Sequence, residues 1–204
     1  MTVSSDPNET CEGADRFRSL FVPVRTLMEV SLNNQIRKYT GCALLLILSV
    51  VLDRVTKAWA VSTLMGSADI VVWKGVFQLH YLENTGMAFG MFKNQQLFFY
   101  IMTVVILGAV VFFFVKTPPV KRYAPILVFL SMIAGGAIGN LIDRASQKYV
   151  VDFLYFSLID FPVFNVADCF ITVGCILLMI WFIFVYKDDE LEFYSLRKKK
   201  DGTV

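Results

Sequence analysis

Long apolar stretches alternate with short polar ones along this chain. Residues 40–53 run from Thr40 through GCALLLILSVVL to Asp53. That uncharged run is short for a membrane, because a bilayer's hydrocarbon core takes about 20 residues of helix. The helix is therefore expected to continue through DRVTKAWAV. Residues 97–115 (LFFYIMTVVILGAVVFFFV) carry no charge at all. Residues 123–142 end in GGAIGN, and residues 166–186 hold one charge, Asp168, near their start. The pattern predicts four membrane-crossing helices. Two intervening stretches read differently. IVVWKGVFQLHYLE mixes β-branched and aromatic residues around Gly75, and YVVDFLYFSLIDFPVF has the same texture; both predict strands. The expected architecture is an all-α membrane protein, a four-transmembrane-helix bundle with a small β-cradle on its outer face. Residues 40–186 form the membrane domain, 1–39 an N-terminal tail and 187–204 a basic C-terminal tail. Within the first tail, SLFVPVRTLMEV suits either a membrane-surface segment or a disordered leader. The first apolar run starts too far in, without a basic region directly at the N-terminus, to be a cleavable secretory signal.

Composition agrees with the pattern. Of 204 residues, 56% are hydrophobic and 18% charged, against roughly 45–50% and 25% for soluble domains. A disordered chain is excluded, since it would be poor in apolar residues. The net charge of +2, with no basic stripe before the C-terminus, argues against a nucleic-acid partner. Thirteen of the 19 lysines and arginines fall in the two tails and the link between the second and third spans. Basic residues accumulate on the cytoplasmic side, so both termini are expected there. Residues 54–96 and 143–164 are expected outside.

Cys11, Cys42, Cys169 and Cys175 form no CxxC, and read as small apolar residues rather than a disulfide framework. The single histidine, His80, has no metal-binding context, so no metal is expected. A metalloprotease and a Ser-His-Asp triad are disfavoured on the same ground.

In so apolar a chain, ionisable and amide side chains are functional candidates. Asp53 and Lys57 stand four apart on one helix face and can pair, which an ion pair ending the span explains equally well. Asn84 and Gly86, in ENTGMAFG, form a turn signal, although the amide could also point into a site. In GGAIGNLIDR, the small residues permit close helix approach. Asn140 and Arg144 share a face there, with Asp143 beside them, and Arg144 offers a fixed fork for carbonyls or carboxylates. Tight packing explains these glycines well and Asn140 poorly. In FNVAD, Asn165 is a good N-cap and Asp168 falls at the third helical position, as in a capping box. Asp152 is a second acid, set among apolar residues that disfavour its anion, whereas a helix N-terminus favours that of Asp168. In contact, the two would share a proton in the manner of an aspartic protease dyad. Asp143 and Asp160 are rival partners.

Five blocks now stand in order on a four-span chain: DRVTK (53–57), ENTGMAFG (83–90), GGAIGNLIDR (135–144), VVDF (150–153) and FNVAD (164–168). On these, the chain resembles lipoprotein signal peptidase, or signal peptidase II, a family of bacterial membrane aspartic peptidases. The resemblance covers about residues 40–186. It implies cleavage of prolipoproteins just before a diacylglyceryl-modified cysteine, with Asp152 and Asp168 as the catalytic pair. It implies polar support from Asp53, Lys57, Asn84, Gly86, Asn140, Arg144 and Asn165, with no metal or other cofactor. Diacylglyceryl-prolipoprotein substrates and membrane lipids would be the partners, and globomycin an inhibitor. The setting would be the bacterial cytoplasmic (inner) membrane, with both termini cytoplasmic and the site near the outer face. The chain departs from the family in its long N-terminal tail and in Met87, where a small alanine is common; its basic C-terminal tail is a variable feature there. The competing expectation is a non-enzymatic four-span protein, a transporter subunit or scaffold. Another intramembrane aspartyl protease would carry YD and GxGD motifs, which are absent.

Overall fold

The computed structural model of the chain describes residues 24–86, 95–118, 120–187, 190–191 and 194, with side chains from residue 35 onward. Met87, Cys11, residues 1–23 and the basic run 197–200 lie outside the described residues. The chain divides into two units, residues 1–40 and 41–204. Of the first, residues 24–40 are helical.

The elements follow the apolar pattern. They are α1 (Val24–Leu64), β1 (Ile70–Trp73), β2 (Phe77–Asn84), α2 (Gln96–Lys116), a 3-10 turn (Lys121–Tyr123), α3 (Ala124–Gln147), β3 (Val150–Tyr155) and α4 (Val166–Phe184). Among the described residues, three segments are long and apolar enough to cross a membrane: Gln96–Lys116, Lys121–Gln147 and Val166–Phe184. Helix α1 has the length, but Asp53, Arg54 and Lys57 interrupt its apolar run.

Helix α3 is central. It packs against α2 on one side and α4 on the other and buries residues along its whole length, from Ile126 to Asp143. Its neighbours are lopsided. Helix α2 buries only Phe99, Thr103 and Val110, and leaves Leu97 and Val115 71% and 77% exposed. Phe184 on α4 is 79% exposed. Apolar surface of this extent needs a nonaqueous neighbour. One core cluster joins Val110, Ile126, Leu130, Ile133, Ala134 and Tyr186. A second joins Ala60 and Leu64, at the end of α1, to Val151 and Phe153 of β3.

The glycines of α3 set how closely the helices approach. A Cβ on Gly136 would strike the carbonyl oxygen of Ala167, in the first turn of α4. A Cβ on Gly135 would lie 2.6 Å from Cβ of Ser49, and one on Gly139 2.5 Å from Oδ2 of Asp53. The obstacle at Gly136 is backbone, which cannot swing aside. Gly136→Ala should therefore push α4 away from α3 at a cost of about 1–3 kcal/mol, the usual range for overpacking. The check is a lowered unfolding temperature in detergent.

The three strands form one antiparallel sheet in the order β1-β2-β3. Leu82 pairs with Asp152 and Asn84 with Val150, past a register shift between Leu79 and Leu82. This register places Asn84 diagonally from Asp152 on one face, within side-chain reach. Helix α3 ends at Lys148 in the left-handed conformation, φ 69°, and β3 begins two residues later. The stretch after β3 adds an isolated bridge, Leu154 to Phe164, rather than a fourth strand. That bridge delivers the chain to the start of α4.

Cys42 is buried, Cys169 half-buried and Cys175 exposed, all as free thiols. Among the described residues, only Cys42 fits the expectation of a small buried residue; Cys175 faces outward with the apolar side of α4.

Candidate active site

Among the described residues, the largest fully buried side chain is Lys57, only 1% exposed. Its ammonium has three donors and three acceptors: Asp53 Oδ2 at 2.9 Å, Asp143 Oδ2 at 2.8 Å and Asn140 Oδ1 at 2.9 Å. The expected pairing of Asp53 with Lys57 is present, but it is one part of a larger assembly. Asp53 Oδ1 also accepts from the backbone N–H of Ala167 at 3.1 Å, tying α1 to α4. Asp143 also accepts from Arg54 and from the Val151 backbone N–H at 3.3 Å, tying α3 to α1 and β3. Opposite charges paired at ion-pair distance are what make such burial tolerable.

From Lys57 the network runs to the two acids through a pair of amides. Asn140 Oδ1 accepts from Lys57 and from Asn165 Nδ2 at 3.2 Å. This points the other end of the amide at Asp168, whose Oδ1 accepts from Asn140 Nδ2 at 2.8 Å. Asn165 Nδ2 also donates to Asp152 Oδ1 at 2.6 Å. Asn84 Nδ2 donates to the remaining oxygen of Asp152 at 2.8 Å. The Asn84 side chain makes the expected turn as well, its Oδ1 accepting from the Gly86 N–H at 2.9 Å. Thus Asn84 makes the turn and contacts Asp152 at once.

The capping box is also complete. Asn165 Oδ1 accepts from the Asp168 N–H at 3.0 Å, and Asp168 Oδ2 accepts from the Asn165 N–H at 3.1 Å. Capping alone would satisfy only one oxygen of Asp168. The second oxygen, held by Asn140, belongs to the network.

Burial pushes the Asp152 carboxyl up to about 7, helped by the neighbouring charge of Asp168 and opposed by the hydrogen bonds from Asn84 and Asn165. Desolvation outweighs these donors because the carboxyl is almost wholly removed from solvent.

The acids open onto a cavity of about 650 Å³. One part of its wall is polar, made by Asn84, Asn140, Arg144, Asp152 and Asp168. The rest is apolar, from Phe98, Met102 and Ile106 of α2 to Ile171 and Val173 of α4. Arg144 stands over the ring of Phe99, 4.5 Å from its centroid.

The rival acids are elsewhere. Asp143 is turned into the ion network. Asp160 sits in an exposed turn, accepting from Tyr155 Oη at 2.6 Å. His80 pairs with Asp69 and is not part of the cavity wall. The structure therefore joins Asp53, Lys57, Asn84, Gly86, Asn140, Arg144, Asp152, Asn165 and Asp168 in one continuous arrangement. Sequence reasoning missed the anchoring role of Asp143, and Arg54 and Phe99 altogether. Asp143 lies three residues after Asn140, on the same helix face, which was the available signal. Phe99 gave none among so many phenylalanines.

Residues 45–184 match the model of the family described as signal peptidase (SPase) II. The chain belongs to this family. It is 46% identical to the lipoprotein signal peptidase of Clostridium tetani over 154 residues, 73% of this chain and 94% of that one. It is 48% identical to that of Caldanaerobacter subterraneus over 136 residues, 66% and 90% of the two chains. Its fold is similar to that of a bacterial membrane enzyme solved by the in meso method at 1.9 Å, with a TM-score of 0.61 at 31% identity, covering 72% of this chain and 95% of that one. This member of the signal peptidase II family is therefore a multi-pass bacterial membrane peptidase that removes signal peptides from prolipoproteins. Its membership disfavours the transporter or scaffold alternative.

Proposed function

We propose that Asp152 and Asp168 are the catalytic pair of this peptidase, and that they cleave the bond just before a diacylglyceryl-modified cysteine. The observation that carries this is the amide bridge. Asn140 and Asn165 hold both carboxylates on one wall of one cavity. In the reaction, Asp168 takes a proton from a water whose oxygen attacks the scissile carbonyl carbon. Asp152 gives its proton to the carbonyl oxygen, and a gem-diol forms. Its collapse breaks the C–N bond. The proton on Asp168 goes to the departing cysteine amine, and a gem-diol hydroxyl proton returns to Asp152. The pair is restored and no acyl-enzyme forms. Arg144 and Asn140 hold substrate backbone carbonyls, Asn84 and Asn165 orient the acids, and Asp53 and Lys57 brace Asn140. Gly86 completes the Asn84 turn.

The apolar wall suits the substrate's acyl chains, each buried methylene adding about 0.8 kcal/mol. The four long helices form a membrane bundle, with the sheet and the site toward the outer face of the cytoplasmic membrane and both termini inside, a reading supported by the distribution of lysine and arginine. A globomycin-type cyclic peptide would compete for the cavity.

The test is processing of a lipidated and an unlipidated precursor by the purified protein in lipid vesicles. Cleavage of the lipidated precursor alone, blocked by globomycin, is expected. Equal cleavage of both would overturn the assigned bond. The pH profile offers a second check. Asp152 must be protonated to act as the acid and holds its proton up to about 7. Processing should be sustained below that pH and fall as pH rises through it, approaching tenfold per unit. A rate still flat to pH 9 would remove Asp152 from that role.

A further inference from the structure

We propose that Phe99 is a positioning residue for this reaction, its ring face holding the Arg144 guanidinium so that the N–H donors stay free for a substrate carbonyl. The inference rests on the reading of Arg144 as the group that holds substrate carbonyls.

Three observations combine. First, the guanidinium is poorly anchored by hydrogen bonds. A guanidinium has five N–H donors, yet among the described residues only Nη1 finds an acceptor, the Asn140 carbonyl of its own helix, at the long distance of 3.5 Å. Among the described residues Arg144 forms no ion pair. Second, it has reason to move. The charge of Asp168 attracts it first, and that of Asp143 adds to the pull. A guanidinium drawn onto either catalytic acid would occupy an oxygen that the reaction needs and spend the donors meant for substrate. Third, what holds it back is Phe99, 4.5 Å from the guanidinium carbon to the ring centroid. Phe99 is itself only 6% exposed, so it is a fixed surface. The adjacent Tyr100 adds a second hold, its hydroxyl donating to the Arg144 carbonyl at 2.8 Å. Consecutive residues of α2 thus grip the side chain and the backbone of one arginine on α3.

The type of contact matters. A carboxylate partner would consume in-plane donors, whereas an aromatic ring engages the flat face and leaves the edges available. The arginine is steadied without being used up. Nothing in the apolar pattern of α2 distinguishes this phenylalanine from those around it; its place opposite Arg144 does.

The test is steady-state kinetics of the full-length protein on a lipidated precursor in detergent–lipid micelles. Phe99→Leu should raise KM roughly 3- to 30-fold, the span of a partly desolvated cation–π contact, with kcat changed less than about twofold. Phe99→Tyr should restore most of the loss. A trifluorinated phenylalanine at position 99 keeps the shape but drains the ring face. It should behave like leucine even if Phe99→Leu fails to fold. Arg144→Leu should raise KM at least as much, and adding Phe99→Leu to it should cost nothing further. If the fluorinated residue leaves KM unchanged, or if the Phe99→Leu effect persists undiminished without Arg144, Phe99 acts by packing and the proposal is wrong. If Arg144→Leu leaves KM unchanged, the carbonyl-holding role of Arg144 falls first, and this inference falls with it.

Discussion

Asp152→Asn and Asp168→Asn should each slow processing of a lipidated precursor by on the order of 10³-fold or more, since in the proposed mechanism each removes a proton-transfer group outright. An amide is nearly the same size as a carboxyl but can neither hold nor pass the proton. The two losses should not add, because either acid without the other lacks half of the proton cycle. The variants should still reach the membrane. Asp152 accepts at both oxygens from amide N–H groups, so its asparagine variant sets one donor against another, at a cost of about 1–3 kcal/mol. That cost is smaller than the whole stability of a folded domain. Asp160→Asn is the control. That acid was a rival on sequence grounds and lies in an exposed turn, so the variant should process at nearly the wild-type rate. Near-normal processing by either catalytic variant would sink the assignment.

Lys57→Met should have the largest effect on stability. It strips the ammonium from Asp53 and Asp143, each 0% exposed. Breaking a buried charge network by removing one partner costs about 3–5 kcal/mol, because the orphaned charge cannot return to water. Asp143 keeps Arg54, so the greater burden falls on Asp53. Lys57→Met/Asp53→Asn should therefore recover part of the loss. Arg54, by contrast, is 40% exposed at its side chain, and Arg54→Met should cost less than about 1 kcal/mol. Thermal unfolding of the four proteins in one detergent measures all of this. Equal unfolding temperatures for Lys57→Met and wild type would show that the network is not what holds α1, α3, α4 and β3 in place.

Much of this was legible in the residues, and the rest was not for definable reasons. The uncharged runs marked α2, α3 and α4 to within a few residues, because hydrophobic length is a strong signal in a membrane chain. The capping box was readable because its two residues lie three apart in sequence. The β-branched and aromatic texture marked the strands. The start of α1 was not readable, since residues 24–40 are mixed in polarity and carry no apolar run. The partner of Asp152 was not readable from spacing either. Asp143, Asp160 and Asp168 all lie within 16 residues of it, and only the turn at Lys148 and the return through Phe164 decide which one faces it. Spacing along one helix predicts that Asp53 meets Lys57. It cannot predict that Lys57 also meets Asp143, 86 residues away, because that contact depends on where Gly136 and Gly139 let the helices cross.

Asn165 carries a consequence of its own. Its side-chain oxygen closes the first turn of α4, while its side-chain nitrogen reaches Asp152 and Asn140. One residue thus splices local helix nucleation to assembly of the chemistry. Fraying of that single turn would loosen both acids together, leaving Asp152 held by Asn84 alone and Asp168 by Asn140 alone. Amide-proton exchange at the N–H of Asp168 should then report, on a slow clock, the fraction of molecules able to turn over.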